Sequence, residues 1–313
     1  MIKNFLLVFV MFSFTFANPM QEDALFEPIR EVEILWGAYS DGRHPEATCN
    51  ITALIFTPNG DIFAARDVHQ IPELVGKCTL WNATSGHIIY DNFEGKGGWY
   101  VPSLTLGPSG EILVAGLQFG ISHLSRSTMV RLLNLSSGWT NQWFAGDSLC
   151  VRKLALGPDR NTLAIYNENF STIEVIKNFF GKQDSFCIYA SKDGSPSLAF
   201  NRSGNFLAVG EGDGNVSVWD IGTKTRVHNF RCESAVRALA FSPNGKFLAY
   251  ADSNGNIKIW SLEQKLCIHE IEIGEGVVAS LAFSLDGTKI AIGLNYSGKI
   301  LVWNVFLWKY NFC

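Results

Sequence analysis

Residues 242–261, SPNGKFLAYADSNGNIKIWS, decide how the rest of the chain is interpreted. The segment contains short apolar strands separated by turns, and a tryptophan closes its last strand. Similar segments lie on either side of it, SLAFNRSGNFLAVGEGDGNVSVWDIGT (197–223) and SLAFSLDGTKIAIGLNYSGKILVWNV (280–305). Weaker copies occupy the first half of the chain: ALIFTPNGDIFAA (53–65), SLTLGPSGEILVAG (103–116) and KLALGPDRNTLAIY (153–166). The chain is therefore predicted to consist of a repeated unit.

Two independent landmarks give the number of units. The turn between the first and second strands ends, in successive units, at Gly60, Gly110, Arg160, Gly204, Gly245 and Gly287. The third strand ends at Trp81, Leu133, Ile176, Trp219, Trp260 and Trp303. Both series advance by 41 to 52 residues per unit. Six units are therefore countable.

Short β-type runs between the units supply a fourth strand. They include HIIYD (87–91), CIYAS (187–191), RVHNF (226–230) and CIHEI (267–271). The strands are rich in Val, Ile, Phe and Trp, they end at Asn-Gly or Asp-Gly turns, and no segment sustains a helical period. The sequence thus predicts an all-β chain of antiparallel meanders.

At this period the chain resembles the WD-repeat β-propeller family. Trp219-Asp220 carries the dipeptide that typically closes the third strand of such a repeat, and Trp260-Ser261 and Trp303-Asn304 occupy the same place. The resemblance runs from about Asn50 to the C-terminus and is stronger in the last three units. It implies a propeller of four-stranded blades. Only Asp213 matches the aspartate that this family carries before the third strand, and the family's Gly-His pair is missing.

Closure of the ring leaves two candidates for one strand. VEILWGAY (32–39) precedes the first unit, and the resemblance implies a closing strand from the start of the chain. FLWKYNF (306–312) follows Trp303 at the distance at which CIHEI follows Trp260. Six blades are favoured, and an incomplete seventh is the alternative if both strands are used. The predicted organisation is a signal peptide (1–17), an N-terminal segment with a closing strand (18–50) and the propeller (51–313).

The N-terminus has the features of an export signal. Lys3 is followed by an apolar run from Phe5 to Phe16, and Thr15 and Ala17 are small residues at cleavage spacing. The run is shorter than the roughly 20 residues that a membrane-spanning helix needs. The sequence predicts a secreted or periplasmic protein that is cleaved after Ala17. The alternatives are a retained anchor, or a cytoplasmic protein if the segment is not a signal.

Composition bears on partners and cofactors. The net charge is −4 with no basic run, which argues against nucleic acid. Seven cysteines contain no Cys-x-x-Cys pair, so no structural zinc site is predicted, and most are expected to be buried. Several sequons coincide with turns, among them Asn169-Phe-Ser, Asn201-Arg-Ser and Asn215-Val-Ser. Chance and turn chemistry explain them better than glycosylation, which is the alternative for a eukaryotic secretory protein.

Catalytic chemistry is not indicated. The histidines are scattered over the units without ligand spacing, namely His44, His69, His87, His123, His228 and His269. The glycine-rich segment GEGDGN (210–215) falls where a turn before a third strand is expected. No cofactor or metal is predicted. A propeller enzyme, such as a lactonase-like hydrolase with a metal in the channel, would need carboxylates or histidines at equivalent inward positions.

The tryptophans and the unit lengths indicate where a partner binds. Trp81, Trp219, Trp260 and Trp303 are expected to be buried structural residues between blades, and Trp139 and Trp143 are assigned to packing. The first two units have extra residues between their second and third strands, at 66–77 and 116–128. Insertions in repeats commonly form loops on the binding face. The candidate contact residues are Arg66, His69, Phe119 and His123 in these inserts, with Trp99 and Tyr100 in the connection beside them.

The predicted function is that of an exported, non-catalytic scaffold for a protein or peptide. A propeller enzyme and a purely structural repeat within a larger assembly are the alternatives. For Trp99 and Tyr100 the alternative is that they merely cap the first strand of the second unit.

Overall fold

The computed structural model is built from 24 strands in six four-stranded antiparallel sheets. It describes residues 28–33 and 49–305, except for 58, 71–74, 83–84, 86, 95–98, 107–111, 120–126, 135–136, 138–139, 147–150, 179–182, 274–275 and 296–298. For many strand residues before Val151 it describes the backbone alone.

The first three blades use β2–β5, β6–β9 and β10–β13 in sequential order. Their bounds are β2 (Cys49–Phe56), β3 (Ile62–Gln70), β4 (Val75–Asn82), β5 (Ile88–Glu94), β6 (Trp99–Leu106), β7 (Ile112–Phe119), β8 (Ser127–Asn134), β9 (Thr140–Gly146), β10 (Val151–Leu156), β11 (Thr162–Asn167), β12 (Thr172–Lys177) and β13 (Asp184–Tyr189).

Blades 4 and 5 use β14–β17 and β18–β21, and blade 6 combines β22–β24 with the N-terminal strand β1. Their bounds are β1 (Pro28–Glu33), β14 (Ser197–Phe200), β15 (Phe206–Gly210), β16 (Asn215–Asp220), β17 (Thr225–Arg231), β18 (Val236–Phe241), β19 (Phe247–Asp252), β20 (Asn256–Ser261), β21 (Leu266–Glu272), β22 (Val278–Phe283), β23 (Lys289–Leu294) and β24 (Lys299–Asn304).

The first strand of each blade contacts the first strand of the next, in the order β2, β6, β10, β14, β18 and β22, and β22 returns to β2. This closes the ring and confirms the all-β propeller predicted from the sequence. Within the described residues the blades number six.

β1 is the fourth strand of blade 6. It pairs antiparallel with β24, from Pro28 opposite Trp303 to Glu33 opposite Lys299. The predicted N-terminal strand began at Val32, so the actual one starts four residues earlier. The competing C-terminal segment 306–312 lies outside the described residues.

Apolar packing between neighbouring blades holds the ring together. The second strands of blades 3 and 5, β11 and β19, are buried along their whole length because a neighbouring blade covers each face. β20 instead alternates, with Ile257 and Ile259 buried. One apolar cluster joins blades 5 and 6, and another joins blade 6 to blade 1 through Ile51 and Ile300.

Three landmark tryptophans occupy equivalent register positions, opposite the second residue of β15, β19 and β23, and the fourth, Trp81, is opposite the third residue of β3. Trp81, Trp219, Trp260 and Trp303 each pair with a residue near the start of the second strand of their own blade. Trp260 stacks on Phe230 of the preceding blade, with 4.0 Å between ring centroids. The expectation of full burial is wrong for Trp219, Trp260 and Trp303, which are half-buried, since an indole is too large to be covered completely by one neighbouring blade.

A one-residue bulge in the outer strand accompanies each of these tryptophans. The ladder skips Ile89 beside Trp81, Val227 beside Trp219, Ile268 beside Trp260 and Ile29 beside Trp303. Blades 2 and 3, with Leu133 and Ile176 at this place, have no bulge there. β1 therefore reproduces the irregularity of a genuine fourth strand, although it comes from the other end of the chain.

Candidate functional site

The turns between second and third strands lie on one rim of the ring together with the connections between blades. We call this the hairpin rim. Strand reversal places both kinds of segment at the same end of a blade, and hydrogen bonds join them directly. Ala190 N donates to Ser171 O at 2.9 Å, and Cys232 N donates to Gly214 O at 2.7 Å.

The two inserts on this rim are mostly strand rather than loop. In blade 1, β3 and β4 stay paired as far as Gln70 opposite Val75. In blade 2, β7 and β8 stay paired as far as Phe119 opposite Ser127. The predicted loops are thus two extended hairpins, because added residues that continue the ladder satisfy their own backbone hydrogen bonds.

Trp99 and Tyr100 open strand β6 and do not lie in a connection as predicted. Trp99 is opposite Phe119, and Tyr100 is opposite Gln118. The register therefore places Trp99, Tyr100 and Phe119 together at the rim end of blade 2. Arg66 and His69 lie on β3 of the adjacent blade, whereas His123 is outside the described residues. No side chain of these candidates is described, so their role in binding stays a prediction.

Two exposed aromatic residues on the same rim were missed by the sequence analysis. Phe170 is 60% exposed in the turn between β11 and β12, and Tyr189, at the end of β13, is 87% exposed. They are close because Tyr189 is opposite Thr172, two residues after Phe170. The available signal was an aromatic residue inside the polar turn sequence NENFST (167–172).

Charged residues lie beside the aromatic pair of blade 3, on the inner strand β10 and in the turn after β11. Arg152 is the residue that the ladder skips at the start of the inner strand β10. Its Nε donates to Glu168 Oε2 at 2.8 Å, and Glu168 lies two residues before Phe170. The next residue along β10, Lys153, is partly buried, and desolvation lowers the pKa of its ammonium group.

The glycine-rich segment 210–215 is a structural turn, as predicted. Glu211 is buried, and its carboxylate accepts hydrogen bonds from Ser191 N and from Asn215 Nδ2, the latter at 2.7 Å. Gly214 has φ of +86°, and a Cβ there would lie 2.6 Å from Cys232 O. These oxygens and this backbone already have partners within the protein.

Histidines and acidic residues are dispersed as well. Among the described residues, no group of three or more His, Cys, Asp or Glu side chains is arranged to hold a metal ion. His228 and His269 lie on outer strands, and burial lowers the pKa of each. His87 precedes β5 and is exposed.

The described cysteines differ from the expectation that most are buried. Cys187 and Cys267 are exposed, because both lie on outer strands where only one neighbouring strand covers them. Cys232 is buried, and burial raises the pKa of its thiol to about 11.

Two sequon asparagines, Asn201 and Asn215, form hydrogen bonds within the protein. Asn201 is 6% exposed, and its Oδ1 accepts a hydrogen bond from Phe206 N at 3.0 Å. The Nδ2 of Asn215 donates to Glu211. Turn chemistry therefore accounts for both positions.

The described part of the chain contains no helix with the length and apolar character needed to cross a bilayer.

Comparison with known proteins supports the repeat assignment. Residues 186–236 and 231–286 match the profile of the family described as the anaphase-promoting complex subunit 4 WD40 domain. A comparison with curated protein sequences gave no match. The matched segments run from the second half of β13 to β22, and most of their length lies in the three units in which the tryptophan landmark is clearest. The closed ring of four-stranded blades and the match over residues 186–286 are both similar to what WD-repeat β-propellers show.

Proposed function

We propose that the protein is an exported, non-catalytic scaffold that binds a protein or peptide on the hairpin rim of blades 1 to 3. WD-repeat propellers generally serve as interaction scaffolds, and the family matched here is named for a subunit of a multiprotein complex. Both points support a binding function and leave the partner open.

The observation that carries the location is the exposed pair Phe170 and Tyr189. The two aromatic side chains are exposed on the same rim of one blade, and tyrosine is enriched among the residues that dominate binding energy. The pair lies on the blade next to the extended hairpin of blade 2, where the register also places Trp99 and Phe119.

The rim of the later blades is different. Blades 4 and 5 turn through Gly212-Asp213-Gly214 and Ser253-Asn254-Gly255, which are short and polar. Asp213 and Asp252 accept hydrogen bonds from the backbone of these turns. Blades 1 and 2 therefore extend further at the rim than blades 4 and 5, and blade 3 adds the exposed aromatic pair.

The binding experiment compares exposed apolar residues on and off the rim. The exported fraction is cross-linked, the captured partner is identified, and its affinity is measured for the double variant Phe170→Ser/Tyr189→Ser. We expect a loss of at least about tenfold, as for a partly buried aromatic anchor. The matched control is Val227→Ser/Leu266→Ser, which removes 42% and 47% exposed residues from outer strands away from the hairpin rim.

Equal affinity for wild type and the rim variant, with a loss in the control, would place the interface elsewhere and contradict the proposed location. Circular dichroism and thermal unfolding of each variant separate lost binding from lost structure.

The export proposal rests on the apolar run from Phe5 to Phe16 and on Ala17. Intact-mass measurement of the secreted or periplasmic fraction should give a chain that begins at Asn18. A chain that begins at Met1 and sediments with membranes would show a retained anchor instead.

A further inference from the structure

Lys153 is unlike its counterparts in the ring. It follows the bulge of inner strand β10 and is opposite Tyr166. The corresponding residues of the other blades are all small and at most 8% exposed, namely Ala53, Ser103, Ser197, Ala238 and Ser280. A long charged side chain at this place is therefore specific to blade 3.

Side chains at this position reach the next blade. Ser103 Oγ accepts a hydrogen bond from Leu154 N of blade 3 at 3.0 Å, and Ser280 Oγ donates to Ile51 O of blade 1 at 2.9 Å. By the same register, Lys153 lies where inner strands β10 and β14 of blades 3 and 4 meet.

This junction is more open than the others. At the start of its inner strand, blade 4 has the exposed Ser195 where blades 1, 3, 5 and 6 have a β-branched residue that is at most 2% exposed. Strand β14 has four residues, and Leu198, Ala199 and Phe200 are only partly buried. The counterparts of these three in β18 are buried.

Within the part of the chain that the structure describes, the Lys153 ammonium has no ion pair or hydrogen bond. Its surroundings nevertheless lower its pKa by desolvation. Two carboxylates on the same rim are already engaged: Glu168 pairs with Arg152, and Glu211 is bonded to Ser191 and Asn215. A partly buried cation without a counter-ion destabilises the protein unless an anion is supplied from outside.

A second cation lies at the same level of the ring. Arg237, the skipped residue of β18, is exposed and corresponds to Arg152 of blade 3. The described inner edge of the hairpin rim thus carries Arg152, Lys153 and Arg237, although the whole chain has a net charge of −4. Since Glu168 pairs with Arg152, Lys153 and Arg237 are the cations at this level that can attract a negatively charged ligand.

We propose that Lys153 binds a carboxylate of the peptide partner, which enters the centre of the ring from the hairpin rim at the junction of blades 3 and 4. This rests on the proposed peptide-binding function and adds the chemistry of the partner. The carboxylate belongs either to an acidic side chain or to the C-terminus of the partner, and Lys153 recognises both through the same ion pair.

The test uses a synthetic library of random short peptides with free carboxyl termini, selected against the immobilised mature chain and, in parallel, against Lys153→Met and Lys153→Glu. We expect wild type to enrich peptides with an Asp or Glu at a fixed position or with an indispensable free C-terminus. Lys153→Met should weaken these peptides by at least about tenfold. Lys153→Glu should enrich Lys or Arg at the same position.

Resynthesised peptides distinguish the two sources of the carboxylate. Replacing the selected Asp or Glu by Asn or Gln abolishes binding if the carboxylate belongs to that side chain, and amidating the C-terminus abolishes binding if it is the terminal carboxylate.

Lys153→Met should also unfold at a higher temperature than wild type in the absence of peptide, because it removes a charge that has no partner among the described residues. Retained unfolding cooperativity shows that the variants are folded.

Binders without an acidic preference, whose affinity Lys153→Met leaves unchanged, would overturn this inference and leave the proposed function standing. A library that yields no binder to wild type would contradict peptide binding altogether, and this inference with it.

Discussion

At the residue scale, hydrogen bonds to the turns explain which residue types recur after the third strand of the repeat. The residue after the third-strand landmark accepts a backbone hydrogen bond from the next turn: Asn82 from Ser85 N, Asn134 from Ser137 N and Asp220 from Thr223 N. In blade 5 the Ser261 hydroxyl does the same for Gln264 N. The requirement is an oxygen of suitable reach, which is why the position varies among Asn, Asp and Ser.

Arg160 shows the cost of departing from the repeat. It takes the place of a glycine at the first turn and has φ of +59°, close to the +71° of Gly245. Left-handed backbone destabilises a residue with a side chain by roughly 1–2 kcal/mol, of which glycine's greater freedom in the unfolded chain cancels a part. Arg160→Gly should therefore raise the free energy of unfolding by up to about 1 kcal/mol in urea denaturation.

The reverse change, Gly245→Arg, is the matched control and should lower it by a similar amount. A Cβ at Gly245 meets only Asn201 Nδ2, at 4.0 Å, so backbone conformation dominates the effect. If Arg160→Gly is destabilising, contacts of the arginine side chain outweigh its strain.

His228 and His269 predict a pH dependence of stability. Burial lowers the pKa of both below the ordinary 6.5, so the unfolded chain takes up protons first as the pH falls. Their contribution is complete above about pH 6.5 and is lost as the pH falls from there through their folded pKa values. The melting temperature of wild type should therefore fall between about pH 7.5 and about pH 5.5.

The double variant His228→Gln/His269→Gln should have a flatter profile over the same interval. Asp220 and Asp286 do not interfere, because their pKa values lie below the ordinary 3.8. An unchanged slope in the double variant would mean that other groups titrate in this range.

At the element scale, strand positions were predictable because each strand ends at a turn with a recognisable side chain. HIIYD, RVHNF and CIHEI lie on or within a residue of β5, β17 and β21. Pairing beyond the ends was not predictable. The hairpins of blades 1 and 2 depend on cross-strand hydrogen bonds that local composition does not encode. The sequences of the two inserts, 66–77 and 116–128, are equally compatible with loops.

The aromatic pair on blade 3 was missed for a related reason. Phe170 and Tyr189 are 19 positions apart in the sequence, and only the pairing of β12 with β13 brings them together. Lys153 was likewise indistinguishable from an ordinary strand lysine until the register aligned it with five small buried residues. Only the comparison between blades shows that a lysine is unusual at this position.

Strand β1 gives the prediction that belongs to this scale. In a chain expressed from residue 18, removal of residues 18–33 deprives β24 of its antiparallel partner and leaves an open edge. The shortened chain should melt at a lower temperature and self-associate, which light scattering and differential scanning calorimetry measure. A variant that lacks only 18–27 keeps β1 and serves as the control; equal behaviour of the two would show that β1 is dispensable.

At the scale of the whole molecule, the junction of blades 6 and 1 closes the ring. Ser280 Oγ donates to Ile51 O, and Ile51 packs with Ile300 and Val302 in one apolar cluster. Gly293 permits this approach, because a Cβ there would lie 2.5 Å from Ser280 Oγ and 2.7 Å from Ile51 Cγ2. Residues 229 positions apart are thus bonded at the place where the two ends of the repeat array meet.

Gly293→Ala tests whether this junction stabilises all six blades. The added methyl group overlaps a buried hydroxyl and a fully buried isoleucine, so we expect a loss of about 1–3 kcal/mol, typical of overpacking. Gly222→Ala is the matched control, because the nearest neighbour of an added Cβ there is the Asp220 carboxylate at 3.2 Å, in an exposed turn.

In a closed ring each blade is supported on both sides, unlike an open repeat array in which terminal units can separate. Tryptophan fluorescence, to which Trp81, Trp219, Trp260 and Trp303 of blades 1, 4, 5 and 6 all contribute, should therefore follow the same single transition as circular dichroism, displaced to lower denaturant in Gly293→Ala. Two separate transitions, of which the substitution displaces only one, would show that some blades unfold independently of ring closure.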